Sequence, residues 1–219
     1  KEPYFENDHI MRKTPLMVTW FNMYDLPYKP GQDYPTLPMN MLQAGNINRW
    51  KRNKPVLLIQ TNGGPFDEKT QPNSYSWTRD MPIEVAQEII NKYSQQYHII
   101  QVTRPDGYQL PGVERVDGVL SNMELFSLLV TSQKRVLIDS CLQHAAAALK
   151  LQSTVLWVGT SPTVFGYSSH KNIIAKLPKK ANQLIGSYLF DYQFENNMHE
   201  CPYMDVKDMF NIEEIFKSI

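Results

Sequence analysis

From residue 55 onward the sequence alternates short apolar runs with amphipathic segments, and this alternation limits the chain to few architectures. PVLLIQ (55–60), YHIIQV (97–102), RVLI (135–138) and STVLWV (153–158) are each bounded by polar or turn-forming residues and read as buried strands. Between them lie segments with a helical period. MPIEVAQEIINKY (81–93) carries Pro82 at its first turn and Ile83, Ala86, Ile89, Ile90 and Tyr93 at helical spacing. SNMELFSLLV (121–130) opens with Ser121 and Glu124, the spacing of a capping box. CLQHAAAALK (141–150) reads as a third helix. Strands and helices in strict alternation, joined by short loops, predict an α/β fold: a parallel sheet with helices on both faces. Ile59, Ile100, Ile138 and Leu156 are expected in its central strands.

The flanks have a different texture. Residues 1–50 are rich in Pro, Met, Tyr and Asn, and DLPYKPGQDYPTLP (25–38) holds four prolines, which predicts an extended connector. HIMRKTPLMVTWFNMY (9–24) fits a helix with Pro15 near its start. This segment is too small to own a core. The tail, 180–219, is amphipathic and fits one or two helices, DVKDMFNIEEIFKSI (205–219) being the clearest.

Composition narrows the function classes. The 22 acidic residues balance the 22 basic ones, which argues against nucleic acid or an anionic membrane as partner. No apolar run is long enough for a transmembrane segment, and no signal peptide is evident. Two cysteines, Cys141 and Cys201, do not make a disulfide framework, so a reduced, cytoplasmic protein is expected. The five histidines lack paired metal-ligand spacing, and no metal site is expected. The first residue is Lys rather than Met, which fits an N-terminus that is processed, trimmed or lies further upstream.

In parallel sheets of this kind, ligands bind beyond the carboxyl ends of the strands. Four loops emerge there: TNGG (61–64), TRPDG (103–107), DSCLQH (139–144) and GTSPTVFGY (159–167). Asp139 and Ser140 stand where a strand hands over to a helix, whose first amides lack internal partners and carry the positive end of the helix dipole. An oxyanion placed there needs no lysine. Ser140 has the chemistry to cap the helix and to donate to an anion, and His144 follows one turn later. Plain helix capping fits Asp139 and Ser140 equally, and a satisfied half-buried histidine fits His144. Adjacent glycines in TNGG allow backbone amides to approach a phosphate, though an ordinary turn has the same composition. The Gly-Lys-Ser/Thr of a P-loop, the Gly-x-Gly-x-x-Gly fingerprint and the Gly-x-Ser-x-Gly elbow are all missing.

Taken together, these residues resemble the C-terminal half of the ADP-heptose heptosyltransferase family of GT-B glycosyltransferases. The family pattern D-[ST]-G-x-x-H-x-x-A-A is matched by Asp139, Ser140, His144, Ala147 and Ala148. The strand and loop that follow it are matched by TVLWVGTSP (154–162), and a later glycine-tyrosine loop by Gly166 and Tyr167. NMELFSLL (122–129) matches the segment before the third helix, and Trp77 and Pro82 the Trp and Pro beyond the first strand. The match covers about residues 54–175. Two positions depart from the pattern. Cys141 replaces the glycine after Asp-Ser, and Tyr75 replaces a lysine that neutralises diphosphate charge. Arg79, two residues past Trp77, is the cation available in its place.

The resemblance implies a Rossmann-like domain over 54–180 that binds a nucleotide sugar. Residues 1–53 would then be the end of an N-terminal acceptor domain with its linker, and 181–219 C-terminal helices packing back on the domain. It also implies transfer of a hexosyl or heptosyl group, without a bound metal or other cofactor, to a glycan or lipid-linked glycan such as a lipopolysaccharide-type acceptor. The donor-contacting residues it points to are Thr61, Asn62, Gly63, Ser140, Cys141, Gly159 and Thr160 at the phosphates and Asp139 at the sugar or the loop. His144 and Arg79 would serve the diphosphate, and Arg104 and Leu120 the nucleoside. The general base normally comes from the N-terminal acceptor domain, supplied by this or another chain, so a donor half alone is expected to bind nucleotide and transfer poorly. The alternative is a non-catalytic binding or structural module descended from such a domain.

Overall fold

The computed structural model describes residues 2–11, 13–37, 47–63, 78–117, 120–176 and 205–219. The apolar runs pair side by side as parallel strands. In chain order these are β1 (Val56–Gln60), β2 (His98–Thr103), β3 (Glu114–Asp117), β4 (Lys134–Ile138), β5 (Thr154–Trp157) and β6 (Lys171–Ile174). They form one six-stranded sheet in the order β3-β2-β1-β4-β5-β6, with every neighbouring pair parallel. The fold class read from the sequence is the one observed. The four strands expected at the centre are the four interior strands, and the two that the alternation does not reveal, β3 and β6, are the edges.

Among the described residues the α-helices are α1 (Asn7–Ile10), α2 (Leu16–Met23), α3 (Ile83–Tyr93), α4 (Asn122–Thr131), α5 (Cys141–Ala148), α6 (Pro162–Phe165) and α7 (Ile212–Ser218). The pleat sorts each apolar strand between two cores. Leu57 and Ile59 of β1, Val136 and Ile138 of β4 and Leu156 of β5 face α3 and α7, where they meet Val85, Ala86, Ile89, Ile90, Phe210 and Ile215. Val56 and Leu58, Leu137, and Val155 and Trp157 face the other way, against Leu128 and Leu129 of α4 and Leu142, Ala145 and Ala146 of α5. The alanines let α5 lie close to the strands.

Local signals set the boundaries. The capping box forms at α4: Ser121 Oγ accepts from the Glu124 amide and the Glu124 carboxylate accepts from the Ser121 amide. Helix α5 ends two residues before the expected position, in a Schellman arrangement: the Leu151 amide donates to Ala146 O at 2.8 Å and the Lys150 amide to Ala147 O at 2.9 Å. Lys150 occupies the left-handed position with φ 58°, where glycine is the usual residue.

Among the first 37 residues α2 starts directly after Pro15, as expected, and Pro3, His9 and Thr19 are buried. This arm leans on the main body through ring contacts, His9 on Phe165 at 5.9 Å and Tyr34 on Tyr167 at 5.2 Å. At the C-terminus, α7 packs on the domain itself. The Tyr93 hydroxyl donates to Phe216 O at 2.9 Å, and Ile215 is fully buried. The expected helices between residues 181 and 204 lie outside the described residues. At the amino edge of the sheet, Glu114 accepts from Arg52 Nε at 2.9 Å and Nη2 at 2.5 Å, with His98 Nε2 at 2.7 Å.

A left-handed lysine costs about 1 kcal/mol relative to glycine at such a position. Lys150→Gly is therefore expected to stabilise the protein by about 1 kcal/mol in urea unfolding. An equal or lower midpoint would show that the α5 terminus is not the left-handed turn described.

Candidate functional site

The strand order reverses between β1 and β4. The chain leaves β1 toward β2 and leaves β4 toward β5, so the loops beyond these two strands diverge and open a crevice at the carboxyl edge. Gly63, on the loop after β1, and Ser140, on the loop after β4, face each other across it. A Cβ at Gly63 would stand 3.2 Å from the Ser140 Cβ and 3.3 Å from its hydroxyl oxygen. The absence of a side chain at Gly63 is what allows the two loops to meet.

A half-buried carboxylate that no sequence motif marks organises the β1 loop. Asp80 accepts from Asn62 Nδ2 at 2.7 Å and from the Gly63 amide at 3.3 Å, and it pairs with Arg104 Nη2 at 3.6 Å. Burial pushes the Asp80 carboxyl above the usual range, against the pull of Asn62, Arg104, the Gly63 amide and Arg79. Arg104 also donates to Gly63 O at 2.6 Å and to Asp106 at 3.0 Å. Its guanidinium thus braces the glycine loop at the carboxyl edge of the sheet. Asn62 Oδ1 accepts from Thr103 Oγ1 at 2.5 Å and from Thr61 Oγ1 at 3.2 Å, and Gln101 Nε2 donates to Thr61 Oγ1 at 2.8 Å. Thr61 and Asn62 therefore belong to the buried scaffold beneath the loop, and Gly63 is its outer member.

On the other wall, Asp139 is buried and Ser140 sits at the N-cap of α5 with extended backbone, φ −161° and ψ 176°. Its side chain accepts no helix amide. This corrects the capping role expected of it and leaves its hydroxyl at the crevice. The neighbouring Cys141 is exposed. Burial raises the Asp139 carboxyl above its ordinary value, while the Thr160 hydroxyl and the Arg79 charge act in the opposite direction. The Arg79 charge thus acts on both Asp80 and Asp139. The loop after β5 closes the side: the Gly159 amide donates to Thr78 O at 2.7 Å, and a Cβ at Gly159 would come within 2.9 Å of the Thr78 Cβ.

His144 lies one turn into α5. Its Nδ1 is 2.7 Å from the Tyr167 hydroxyl, and burial lowers its pKa, so the ring is neutral at pH 7. Leu120 is partly buried and packs against the apolar cluster that includes Leu128, Leu129 and Leu142. Tyr75 and Trp77 lie outside the described residues. Thr61, Asn62, Gly63, Arg79, Arg104, Asp139, Ser140, Gly159 and Thr160 are thus gathered at one edge. Asp80 and Thr78 were missed because TRDMP holds no pattern that marks them. Among the described residues no three His, Cys, Asp or Glu side chains converge as a metal donor set, and no helix is long and apolar enough to cross a membrane.

No protein-family model matches the sequence, and no curated protein matches it. Solved structures do match the fold. ADP-heptose LPS heptosyltransferase II of E. coli aligns over 89% of this chain and 55% of its own, at 16% identity and a TM-score of 0.50. A glycosyl transferase family 9 protein of Veillonella parvula aligns over 94% of this chain and 59% of its own, at 10% identity and 0.57. The iron-containing dodecameric heptosyltransferase TibC of enterotoxigenic E. coli, solved with ADP-D-β-D-heptose, aligns over 94% and 54%, at 12% identity and 0.52. The fold is therefore that of heptosyltransferases and family 9 glycosyltransferases, as the motifs imply, and the chain spans about half the length of these structures.

The buried carboxyl gives a test with a definite sign. A carboxyl that holds its proton more tightly when folded contributes stability in full below the ordinary Asp value of about 3.9. It loses that contribution as pH rises through its raised folded value. Asp139→Asn is expected to unfold at higher denaturant than the parent at pH 7, and the gap is expected to narrow as pH falls toward 4. A gap independent of pH would place Asp139 in water.

Proposed function

We propose that this chain is the donor-binding half of a glycosyltransferase, taking a nucleoside-diphosphate sugar into the crevice between β1 and β4. The observation that carries the reading is the approach of Gly63 to Ser140 where the strand order reverses. That approach sets the start of α5 and the Ser140 hydroxyl beside the Gly63 backbone at the carboxyl edge of the sheet. These donors suit phosphate oxygens. Asp139, whose carboxyl is buried at the same rim, suits sugar hydroxyls.

When the sugar leaves, negative charge gathers on the departing diphosphate. Fixed amides and hydroxyls stabilise it without reorganising, which is the main electrostatic lever open to such a site. Arg79 supplies the cation, in the role the family gives to the lysine replaced by Tyr75. In this reading the donor is a substrate and no metal or cofactor is required. The acceptor is a glycan or a lipid-linked glycan. The base that deprotonates it belongs to an N-terminal acceptor domain, on this or another chain, packed against the 1–53 segment. The location is the cytoplasm, where Cys141 stays reduced.

One observation favours a second reading, a non-catalytic module on the same fold: the exposed Cys141 side chain stands at the helix start, where the family keeps glycine.

Titration calorimetry with ADP, UDP and GDP tests the proposal. At least one is expected to bind at millimolar Kd or better, about 4 kcal/mol. Ser140→Ala should weaken that binding by about 1.5–3 kcal/mol, the range for a hydrogen bond to a charged group. It should leave the melting temperature unchanged, since the hydroxyl caps no amide. If none of the three nucleotides binds, the donor site is refuted. Binding together with failed transfer, after an acceptor domain is supplied, selects the second reading.

A further inference from the structure

We infer that Tyr167 is a positioning residue that fixes His144 as a neutral imidazole carrying its proton on Nε2, so that His144 acts as an uncharged donor to the ligand. The inference rests on the donor-site reading and goes beyond it in assigning the histidine's protonation and what enforces it.

Tyr167 follows α6, and its hydroxyl lies 2.7 Å from His144 Nδ1. The rings meet edge to face, with centroids 5.5 Å apart and an interplanar angle of 88°. Burial is the first cause that pushes the phenol up to about 12, so at neutral pH the hydroxyl keeps its proton. Donating it to Nδ1 leaves Nε2 as the nitrogen bearing hydrogen in a neutral ring. The other close neighbour is the Gln143 side-chain amide, whose nitrogen is 3.3 Å from Nδ1 and 3.2 Å from Nε2. An atom nearly equidistant from both ring nitrogens lies over the ring face, because in the ring plane it would collide with Cε1. Its in-line acceptor is Phe165 O at 2.9 Å. Gln143 therefore holds the ring from above and leaves the in-plane direction of Nε2 open.

Tyr167 is itself held. Its carbonyl accepts from the His170 amide at 3.1 Å and from Asn172 Nδ2 at 3.0 Å, and His170 Nε2 lies 2.9 Å from Gln143 O. Tyr34 packs on its ring and joins the Ser168 hydroxyl at 2.5 Å. The other ionisable groups around the pair are His170, Tyr34, and the carboxylates of Asp33 and Asp139, which act on the Tyr167 phenol by charge. A neutral donor at the start of a helix adds a hydrogen bond to an oxyanion without a charge that must be released with the product.

Nitrogen-15 NMR of the histidine side chains tests the assignment, with His144 identified by the signals lost in His144→Gln. The parent at pH 7 is expected to show His144 as the Nε2–H tautomer. Tyr167→Phe is expected to show mixed tautomers and to weaken ADP binding roughly three- to tenfold, the scale of one oriented hydrogen bond. An Nδ1–H tautomer or a charged ring in the parent overturns the proposal, as does a Phe variant that keeps either the tautomer or the affinity of the parent. If ADP, UDP and GDP all fail to bind the parent, the donor-site reading falls and takes the ligand role with it; where UDP or GDP binds instead of ADP, the affinity comparison is made with that nucleotide. The hold of Tyr167 on His144 is then decided by the spectra alone.

Discussion

The pairing of β1 with β4 is the constraint on which the rest of the structure depends. Leu57, Leu58 and Ile59 lie opposite Lys134, Arg135 and Val136. β1 is flanked by β2 on its other side and β4 by β5, so this is the one place where the connections run outward in both directions. Both strands are buried on both faces, and that burial fixes their register: a slip of one residue would exchange the two cores. With the register fixed, Gly63 and Ser140 end up at the same height at the sheet's edge. The crevice is thus a product of packing in the sheet before any polar group contributes.

Polar groups then give the edge its form. Asp80 gathers the Asn62 amide, the Gly63 amide and Arg104 around one half-buried carboxylate. Its burial costs free energy that these partners offset, and the return is a glycine loop held in one geometry. The opposite wall is built differently. It relies on the end of β4, the extended backbone at Ser140 and the close approach of the alanine-lined α5. One wall is rigid through hydrogen bonds and the other through apolar contact.

The interior of the fold was legible in the sequence because strand segments buried on both faces must be apolar, as VLLI (56–59) and VLI (136–138) show. The edge strands were not, because Glu114-Arg-Val-Asp117 and Lys171-Asn-Ile-Ile174 meet the sheet on one side only and carry the polarity of a surface. The candidate site was legible where its residues are contiguous with a strand end, as Asp139 and Ser140 are. Asp80 was not, since its partners come from positions 62, 63 and 104 and nothing local marks it. Arg104 and Ser140 show a further limit. Residue type and position placed both at the crevice. Only the fold shows that the arginine is already engaged and that the serine hydroxyl is not used as a cap.

The network of Arg52, Glu114 and His98 has a bearing on how copies of this chain behave toward one another. A strand at the margin of a sheet presents a row of unpaired backbone groups that another chain can extend. β3 is four residues long and three of them are charged. Glu114 is fixed by Arg52 and His98, and Arg115 donates to the carbonyls of Arg104 and Pro105. Docking a second strand there would strip water from these charges for only a few backbone bonds. The network therefore guards this margin of the sheet against edge-to-edge self-association.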